Sequence, residues 1–218
     1  MKPLTTRDAV VVATYNESIN APQLVRALKD LYPELLIVVV DDNSPDGTAR
    51  LVEEMGAEGV HVLCRRNERG YGTAVRDGLV EAMRLGAERV ATMDADFSHN
   101  PKELAPLIEA LVEYDMSIGS RYVGGVRVLN WAAKRLLLSL FANLYVRTIL
   151  GLRTNDCTSG FRAYRAALLK RMKLSTIQSN GYSFLVEMLW RAHRRRARIA
   201  EVPIIFEERR EGESKMSG

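Results

Sequence analysis

The sequence predicts an α/β fold, a mostly parallel sheet flanked by helices. Three observations point there. Five short runs rich in Val, Ile and Met recur through the first 120 residues. Helix-patterned stretches separate them, so strand and helix alternate. Hydrophobic residues make up 47% of the 218 and charged residues 27%, which supplies one core and excludes a mostly disordered chain. Right-handed crossovers in such a sheet place the working loops at the carboxyl ends of the strands.

The elements follow in order. Val10–Ala13 is the first strand. Pro22 opens a helix with Leu24, Val25, Leu28 and Leu31 on one stripe, and Pro33 stops it. Leu35–Val40 is the second strand. Thr48 is expected to cap the next helix, where Leu51, Val52 and Met55 share a face. Val60–Leu63, Val90–Met93 and Met116–Ile118 are the remaining strands of this half, with helices at 73–85 and 102–113. The second half differs. Asn130 to Leu150 is a helix candidate dense in apolar residues, with Gly151 as its stop. Its charges, Lys134, Arg135 and Arg147, are all basic. Two readings of it stay open: a helix lying in a membrane interface, or an ordinary buried helix. A strand at Gly160–Tyr164, a helix from Arg165, a helix around Phe184–Arg196 and a strand at Glu201–Phe206 complete the chain. With no internal repeat or linker, residues 1–218 read as a single domain.

Composition narrows the function classes. Cys64 and Cys157 are too few for a disulfide framework and read as reduced thiols of a cytosolic protein. The N-terminus has no long apolar region or cleavage site, so a secretory signal is not expected. The longest uncharged apolar run, Leu136 to Val146, is 11 residues, short of the roughly 20 a membrane span needs. The net charge of +4 divides unevenly: residues 1–115 carry −8 and residues 116–218 carry +12. An acidic half suited to a cation and a basic half suited to anions imply a phosphate-bearing partner. The arginines at 191, 194–196 and 198 lack aromatic interleaving, which argues against nucleic acid.

The sharpest chemical signal is Asp94-Ala95-Asp96, directly after a predicted strand. Residues i and i+2 of an extended segment project to one side. Two carboxylates there repel unless a cation sits between them, and Mg²⁺ or Mn²⁺ suits carboxylate oxygen. A solvated turn with paired acids is the other reading. A second acidic cluster, Asp41-Asp42-Asn43-Ser44-Pro45-Asp46-Gly47-Thr48, follows the second strand. Its carboxylates can accept from a ribose hydroxyl or a base edge, and Tyr15, beside it in a parallel sheet, can pack on a base. Gly70-Tyr71-Gly72 lacks the third glycine and the preceding strand of a dinucleotide loop. His61 and Cys64 have no second ligand pair, and His99 lies near the acidic pair. No Ser-His-Asp or Cys-His arrangement stands out.

Read together, VVVATYNE, VVVDDNSPDGT, RGYGTAVRDG, MDADFSHNP, IGSRY, TSGFRAYR, GYSFLVEM, EVPIIF and GESK occur in that order. The chain so resembles the polyprenol (dolichol) monophosphate mannose synthases over nearly its whole length. These are inverting glycosyltransferases of GT-A fold, Rossmann-like. The resemblance implies transfer of mannose from GDP-mannose to a polyprenyl (dolichyl) phosphate, with a divalent cation (Mg²⁺ or Mn²⁺), at the cytosolic face of a membrane. It implies that Ala13, Tyr15, Glu17, Val40, Asp42, Asp94 and Ala95 line the nucleotide site. It puts Asp94 and Asp96 on the metal, with Ser98 beside them where some members carry glutamine. It assigns Arg121, Arg135, Arg209 and Lys215, with Asp96, to the reacting phosphates. Residues 1–120 become the nucleotide-sugar and metal half, and 121–218 the acceptor and membrane-facing half, with an interfacial amphipathic helix. Ala13 stands where the family often has proline. Leu140-Phe141 replaces an Arg-Gly pair of eukaryotic members, which makes that helix more apolar. Relatives run beyond the position of Gly218, so a longer native chain is expected.

Two other readings remain. One is a polyprenyl-phosphate hexosyltransferase using a UDP-sugar, such as a glucosyltransferase. The other is a phosphorylation receiver or nucleotide sensor built on Asp41-Asp42, although the pair follows the second strand rather than the first.

Overall fold

The computed structural model describes residues 3–129 and 131–207. β1 (Asp8–Thr14), β2 (Leu36–Asp41), β3 (Val60–Cys64), β4 (Arg89–Asp94) and β5 (Met116–Ser120) follow the five apolar runs within two residues at each end. Between them lie α1 (Asn20–Leu31), α2 (Thr48–Glu53), α3 (Tyr71–Arg84) and α4 (Leu104–Glu109). Then come β6 (Val128–Leu129), α5 (Ala133–Leu150), β7 (Arg162–Arg165), α6 (Ala166–Met172), α7 (Gly181–Arg194), β8 (Ile199–Pro203) and β9 (Phe206–Glu207).

The main sheet has the order β3-β2-β1-β4-β7-β5-β8. Every pairing in it is parallel except those of β7, which runs antiparallel to both β4 and β5. β7 and β8 come from the second half of the chain, so both halves build one sheet. β6 and β9 form a separate parallel pair. The central strands are buried on both faces, which is why they read as continuous Val/Ile runs rather than alternating ones. Ala9, Val11, Val38 and Val40 point to the face covered by α3, α6 and α7. Val10, Val12, Ile37 and Val39 point to the face covered by α1, α2 and α4.

Several expected boundaries move, each for a local reason. α1 starts before Pro22, which falls in the first turn where a missing N–H costs nothing. Thr48 does not cap α2. Gly47 takes that position, and Thr48, as first helical residue, bonds Asp46 instead. The helix expected at 102–113 breaks into a 3₁₀ turn at Pro101–Glu103, α4, and a 3₁₀ turn at Ala110–Val112. Asn100 caps the first piece by accepting from the Lys102 N–H at 3.0 Å, and Pro106 cannot donate back to Lys102, so α4 begins at Leu104. The strand expected at Glu201–Phe206 divides: Ile204 N–H still bonds the Ser120 carbonyl of β5, Ile205 N–H turns away to the Glu103 carboxylate, and Phe206–Glu207 pair with β6 instead.

Candidate active site

The sheet register builds the site's floor. Ala13 pairs with Val40 on one side and Asp94 on the other, so three of the expected site residues form one row across β2, β1 and β4. The loops beyond that row are stitched together. Asn16 N–H donates to Ser44 Oγ (2.9 Å), Glu17 N–H to Thr48 Oγ1 (3.0 Å) and Ser18 N–H to Asp46 Oδ2 (3.0 Å). The side chain of Glu17 accepts from Asn20 at 2.8 Å.

The two aspartates after β2 have different duties. Asp41 is fully buried and accepts from the Thr14 hydroxyl (2.9 Å), the Ser44 N–H (2.8 Å) and the Ser44 hydroxyl (2.6 Å). It holds the turn and is not presented as a phosphoacceptor, which removes the basis of the receiver reading. Asp42 accepts from the Gly70 N–H at 2.8 Å and lies 3.1 Å from Arg65 Nε. Burial raises its pKa against the pull of Gly70 and Arg65. Arg65 also reaches Asp77 (3.3 Å) and Thr73 (2.8 Å), and the Arg69 guanidinium lies 4.6 Å above the Tyr15 ring. Arg65 and Arg69 were not singled out by sequence, since a basic loop between strands reads as solvated surface. The signal was their position between Asp42 and Asp77, which only folding brings together.

At the end of β4, Asp94 is about a third exposed, while Ala95 and Asp96 are buried. Asp96 accepts from the Ser98 N–H at 3.1 Å, across Phe97 in a left-handed conformation (φ 59°). Ser98 Oγ is buried with no hydrogen-bond partner. His99 packs flat on Phe161 at 4.9 Å, and its Nδ1 lies 3.5 Å from the Asp94 N–H, which it accepts. Burial lowers the His99 pKa to about 4; Asp96 opposes the shift and Arg121 adds to it, so the ring is neutral near pH 7. The donors here are two carboxylates and an orphaned hydroxyl, all hard oxygens, which fits Mg²⁺ or Mn²⁺ and not a soft metal. Among the described residues no group of three or more His, Cys, Asp and Glu surrounds a common point, so a cation here would need ligands from a substrate.

Asp94 opens into a cavity of about 780 Å³. Its polar end carries Arg121 and Arg135, and its apolar wall comes from Leu138, Ala142, Val146 and Leu150 at i+4 spacing on α5, facing α7. Arg121 is almost fully buried. Its Nε and Nη2 form a two-pronged pair with Asp156, 2.7 Å each, and Nη2 also donates to Thr158 at 2.8 Å. Burial alone would raise the Asp156 pKa, but the Arg121 charge and hydrogen bonds hold it below the usual carboxylate range. Arg121 therefore fixes the 156–158 loop at the cavity's rim. Arg162, fully buried and missed by sequence, does the same from beneath, donating to the carbonyls of Ser159 (2.6 Å), Leu185 (2.6 Å) and Cys157 (2.7 Å). Arg135 stacks over Trp131 at 4.3 Å. Tyr71 is half-buried and sets its hydroxyl against Gly160, where a Cβ would stand 2.6 Å from it. Burial and Asp94 raise the Tyr71 pKa well above its ordinary value. Cys157 is also buried, its thiol pushed up to about 11, and so is no nucleophile. Arg209 and Lys215 lie outside the described residues.

The family model "Glycosyl transferase family 2" matches residues 9–173. The chain belongs to glycosyl transferase family 2. This glycosyltransferase is 44% identical over 218 residues to a polyprenol monophosphomannose synthase of Mycolicibacterium smegmatis, covering 98% of this chain and 82% of the relative. It is also 44% identical over 214 residues to an undecaprenyl-phosphate mannosyltransferase of Micrococcus luteus, covering 97% and 88%. Among solved structures it is similar to glucosyl-3-phosphoglycerate synthase of Mycobacterium tuberculosis in complex with Mn²⁺, UDP and phosphoglyceric acid. That match has a TM-score of 0.68 at 19% identity, over 98% of this chain and 78% of that one. The same synthase with Mn²⁺ and UDP-glucose gives a TM-score of 0.68 at 20% identity, over 94% and 72%. At that identity the likeness is one of fold, and the glycosyltransferase has the GT-A-like α/β architecture.

Proposed function

We propose that this glycosyltransferase transfers mannose from GDP-mannose to a polyprenyl phosphate at a membrane surface, with inversion, giving a β-mannosyl phosphate lipid. The observation that carries this reading is the cavity: a polar end with Asp94 and arginines, continuous with an apolar wall along α5. A phosphate head and an isoprenoid tail need that combination. The two 44% relatives, named for mannosyl transfer to polyprenol-type lipids, support it. The first half would hold the donor, with the guanosine near Tyr15 and Asp42, and the second half the acceptor.

The chemistry asks little of a general base. A phosphate monoester is already largely dianionic near neutral pH, since its second pKa is about 6. The neutral, buried His99 and the buried Cys157 therefore need no catalytic duty as base or nucleophile. The task of the chain is to bring an anionic acceptor up to a diphosphate donor. Arg135 would lower that repulsion directly, and Arg121 would do so while holding its loop. Asp94 and Asp96, with Ser98 beside them, would hold a divalent cation against the diphosphate. When bound, such a cation neutralises charge on the leaving nucleotide. Arg209 and Lys215 are retained as acceptor-side residues on the family resemblance.

Outside the cavity, Leu137, Phe141, Leu144 and Ile149 of α5 stand more than 60% exposed. With Tyr145 they fall at i, i+4, i+7, i+8 and i+12, one stripe of the helix, and Leu138 stands between that stripe and the cavity wall. No helix among the described residues is long and apolar enough to cross a membrane. The stripe, flanked by Lys134 and Arg135, suits a helix lying on an anionic lipid surface. The test is product analysis with purified protein, polyprenyl phosphate in vesicles, and GDP-mannose, UDP-glucose or UDP-GlcNAc. Mannosyl lipid from GDP-mannose alone, β-configured by NMR, is the expected result. Preferential transfer from a UDP-sugar, or no lipid-linked product, overturns the reading.

A further inference from the structure

Gly70-Tyr71-Gly72 opens α3 without a side-chain cap of its own, since its N-cap residue is Gly70. The cap comes from elsewhere in the chain. Asn180 Oδ1 accepts from the Gly72 N–H at 2.7 Å, 108 residues away in sequence. The same oxygen accepts from the Gly181 N–H at 2.8 Å, where Asn180 is the N-cap of α7. One amide oxygen thus ends two helices at once.

Both glycines are required by this contact. A Cβ at Gly70 would stand 2.2 Å from Asn180 Nδ2. A Cβ at Gly72 would stand 2.8 Å from both Phe184 Cβ and Ser179 O. Gly70 also has φ +145°, a conformation side chains rarely adopt. On its other side the Gly70 N–H donates to Asp42. Tyr71, between the glycines, lines the cavity beside Asp94 and meets Phe184 of α7 edge-on at 6.5 Å. The motif therefore touches Asp42 through one amide, α7 through the next glycine's amide, and the cavity through its tyrosine. α7 supplies Tyr182, Ser183, Val186 and Trp190 to that cavity.

We propose that Asn180 is a positioning residue that locks the cavity wall of α7 to the Gly70–Gly72 turn, so that nucleotide binding at Asp42 sets the placement of the acceptor. The turn is the mechanical link, because it has hydrogen bonds on both flanks and no room to slide between them. This inference rests on the proposed function for the nucleotide at Asp42 and for the identity of the acceptor, but not for the hydrogen-bonded connection between the Gly70–Gly72 turn and α7.

Two variants separate positioning from stability. Asn180→Ala removes the shared oxygen. Asn180→Asp keeps an acceptor for both N–H groups and adds a charge favourable at two helix N-termini. In steady-state transfer, Asn180→Ala is expected to raise the acceptor KM at least tenfold, with GDP affinity by calorimetry changed less than threefold. Asn180→Asp is expected to restore the acceptor KM to within threefold of the parent. The second readout needs no acceptor: hydrogen exchange in the first turn of α7, with and without GDP and Mn²⁺. Nucleotide is expected to slow that exchange in the parent and in Asn180→Asp, and to leave it unchanged in Asn180→Ala. The inference is overturned if folded Asn180→Ala keeps its acceptor KM within twofold, or if nucleotide slows exchange in α7 of Asn180→Ala as in the parent. Absence of transfer to any polyprenyl phosphate by the parent would sink the proposed function instead, and the exchange measurement would still decide the link.

Discussion

Asp156 lies at the bottom of a buried ion pair whose partner, Arg121, faces the cavity. Removing the carboxylate leaves a buried guanidinium uncompensated. Asp156→Ala should therefore destabilise the protein by about 3–5 kcal/mol, read by urea unfolding. A loss under about 1 kcal/mol would mean that water or another acid compensates the charge. The pH dependence has a definite sign. Since the folded pKa of Asp156 is depressed, its contribution is fully present above the ordinary carboxylate value and is lost as pH falls through the lower folded one. Asp156→Asn should thus flatten the fall in stability on the acid side. Asp94 and Asp96 make a different prediction. Asp94→Asn or Asp96→Ala should cut transfer by at least about a hundredfold, of the order of 3 kcal/mol in the barrier, with the fold intact by circular dichroism. Near-parental turnover of either variant would remove the pair from the metal site.

α5 is turned inside out relative to a core helix. Its one fully buried residue is the polar Asn143; Val146 and Leu150 are partly buried against the core, and Leu137, Phe141, Leu144, Tyr145 and Ile149 face outward. Asn143 Oδ1 accepts from the Cys157 N–H at 2.7 Å, and its Nδ2 donates to the Ser139 carbonyl at 2.8 Å. Asn143→Ala leaves a buried N–H unsatisfied and should cost about 1–3 kcal/mol in denaturant unfolding. The exposed stripe behaves otherwise. Leu137, Phe141 and Leu144, all above 60% exposed, should tolerate triple substitution to serine with little change in melting temperature. Binding to anionic vesicles should fall by about tenfold or more. A large drop in melting temperature with unchanged vesicle binding would make the stripe a packing surface. Over Ala133–Leu150 those exposures differ from the ordinary-buried-helix reading, since a core helix hides its leucines.

At the scale of the molecule, the proposed metal and donor sites lie along the strand ends of one sheet. Removing divalent cations with a chelator should abolish transfer, and Mg²⁺ or Mn²⁺ should restore it. Saturating GDP with metal should raise stability by about 2.7 kcal/mol at a hundredfold excess over Kd, and by clearly less without metal. Equal stabilisation with and without the cation would overturn the proposed metal-holding role of Asp94 and Asp96. The fold was legible where physics is local. Buried parallel strands carry unbroken Val/Ile runs, so all five in the first half could be placed within two residues. Broken elements were not legible at 102–113, because the pattern of apolar residues is helical while Pro106 removes a bond that the pattern does not register. The acidic motifs were legible as candidates, but not the division of labour between Asp41 and Asp42. That division depends on Thr14 and Ser44 reaching one carboxylate and Gly70 and Arg65 the other.

The sequence by itself determined the alternation of strand and helix, the two acidic clusters at strand ends, the charge division, and the resemblance to a family. These follow from composition and from spacings of a few residues, which a linear chain displays directly. Tertiary structure decided what those residues touch. Arg121 pairs with Asp156, 35 residues on, and Asn180 caps a helix that begins 109 residues before it. Tertiary structure also decided that α5 keeps its apolar stripe outside while its other flank walls the cavity. The physical reason is that a hydrogen bond or an ion pair spans about 3 Å in space, and nothing in the spacing of residues along a chain fixes which distant segments come that close.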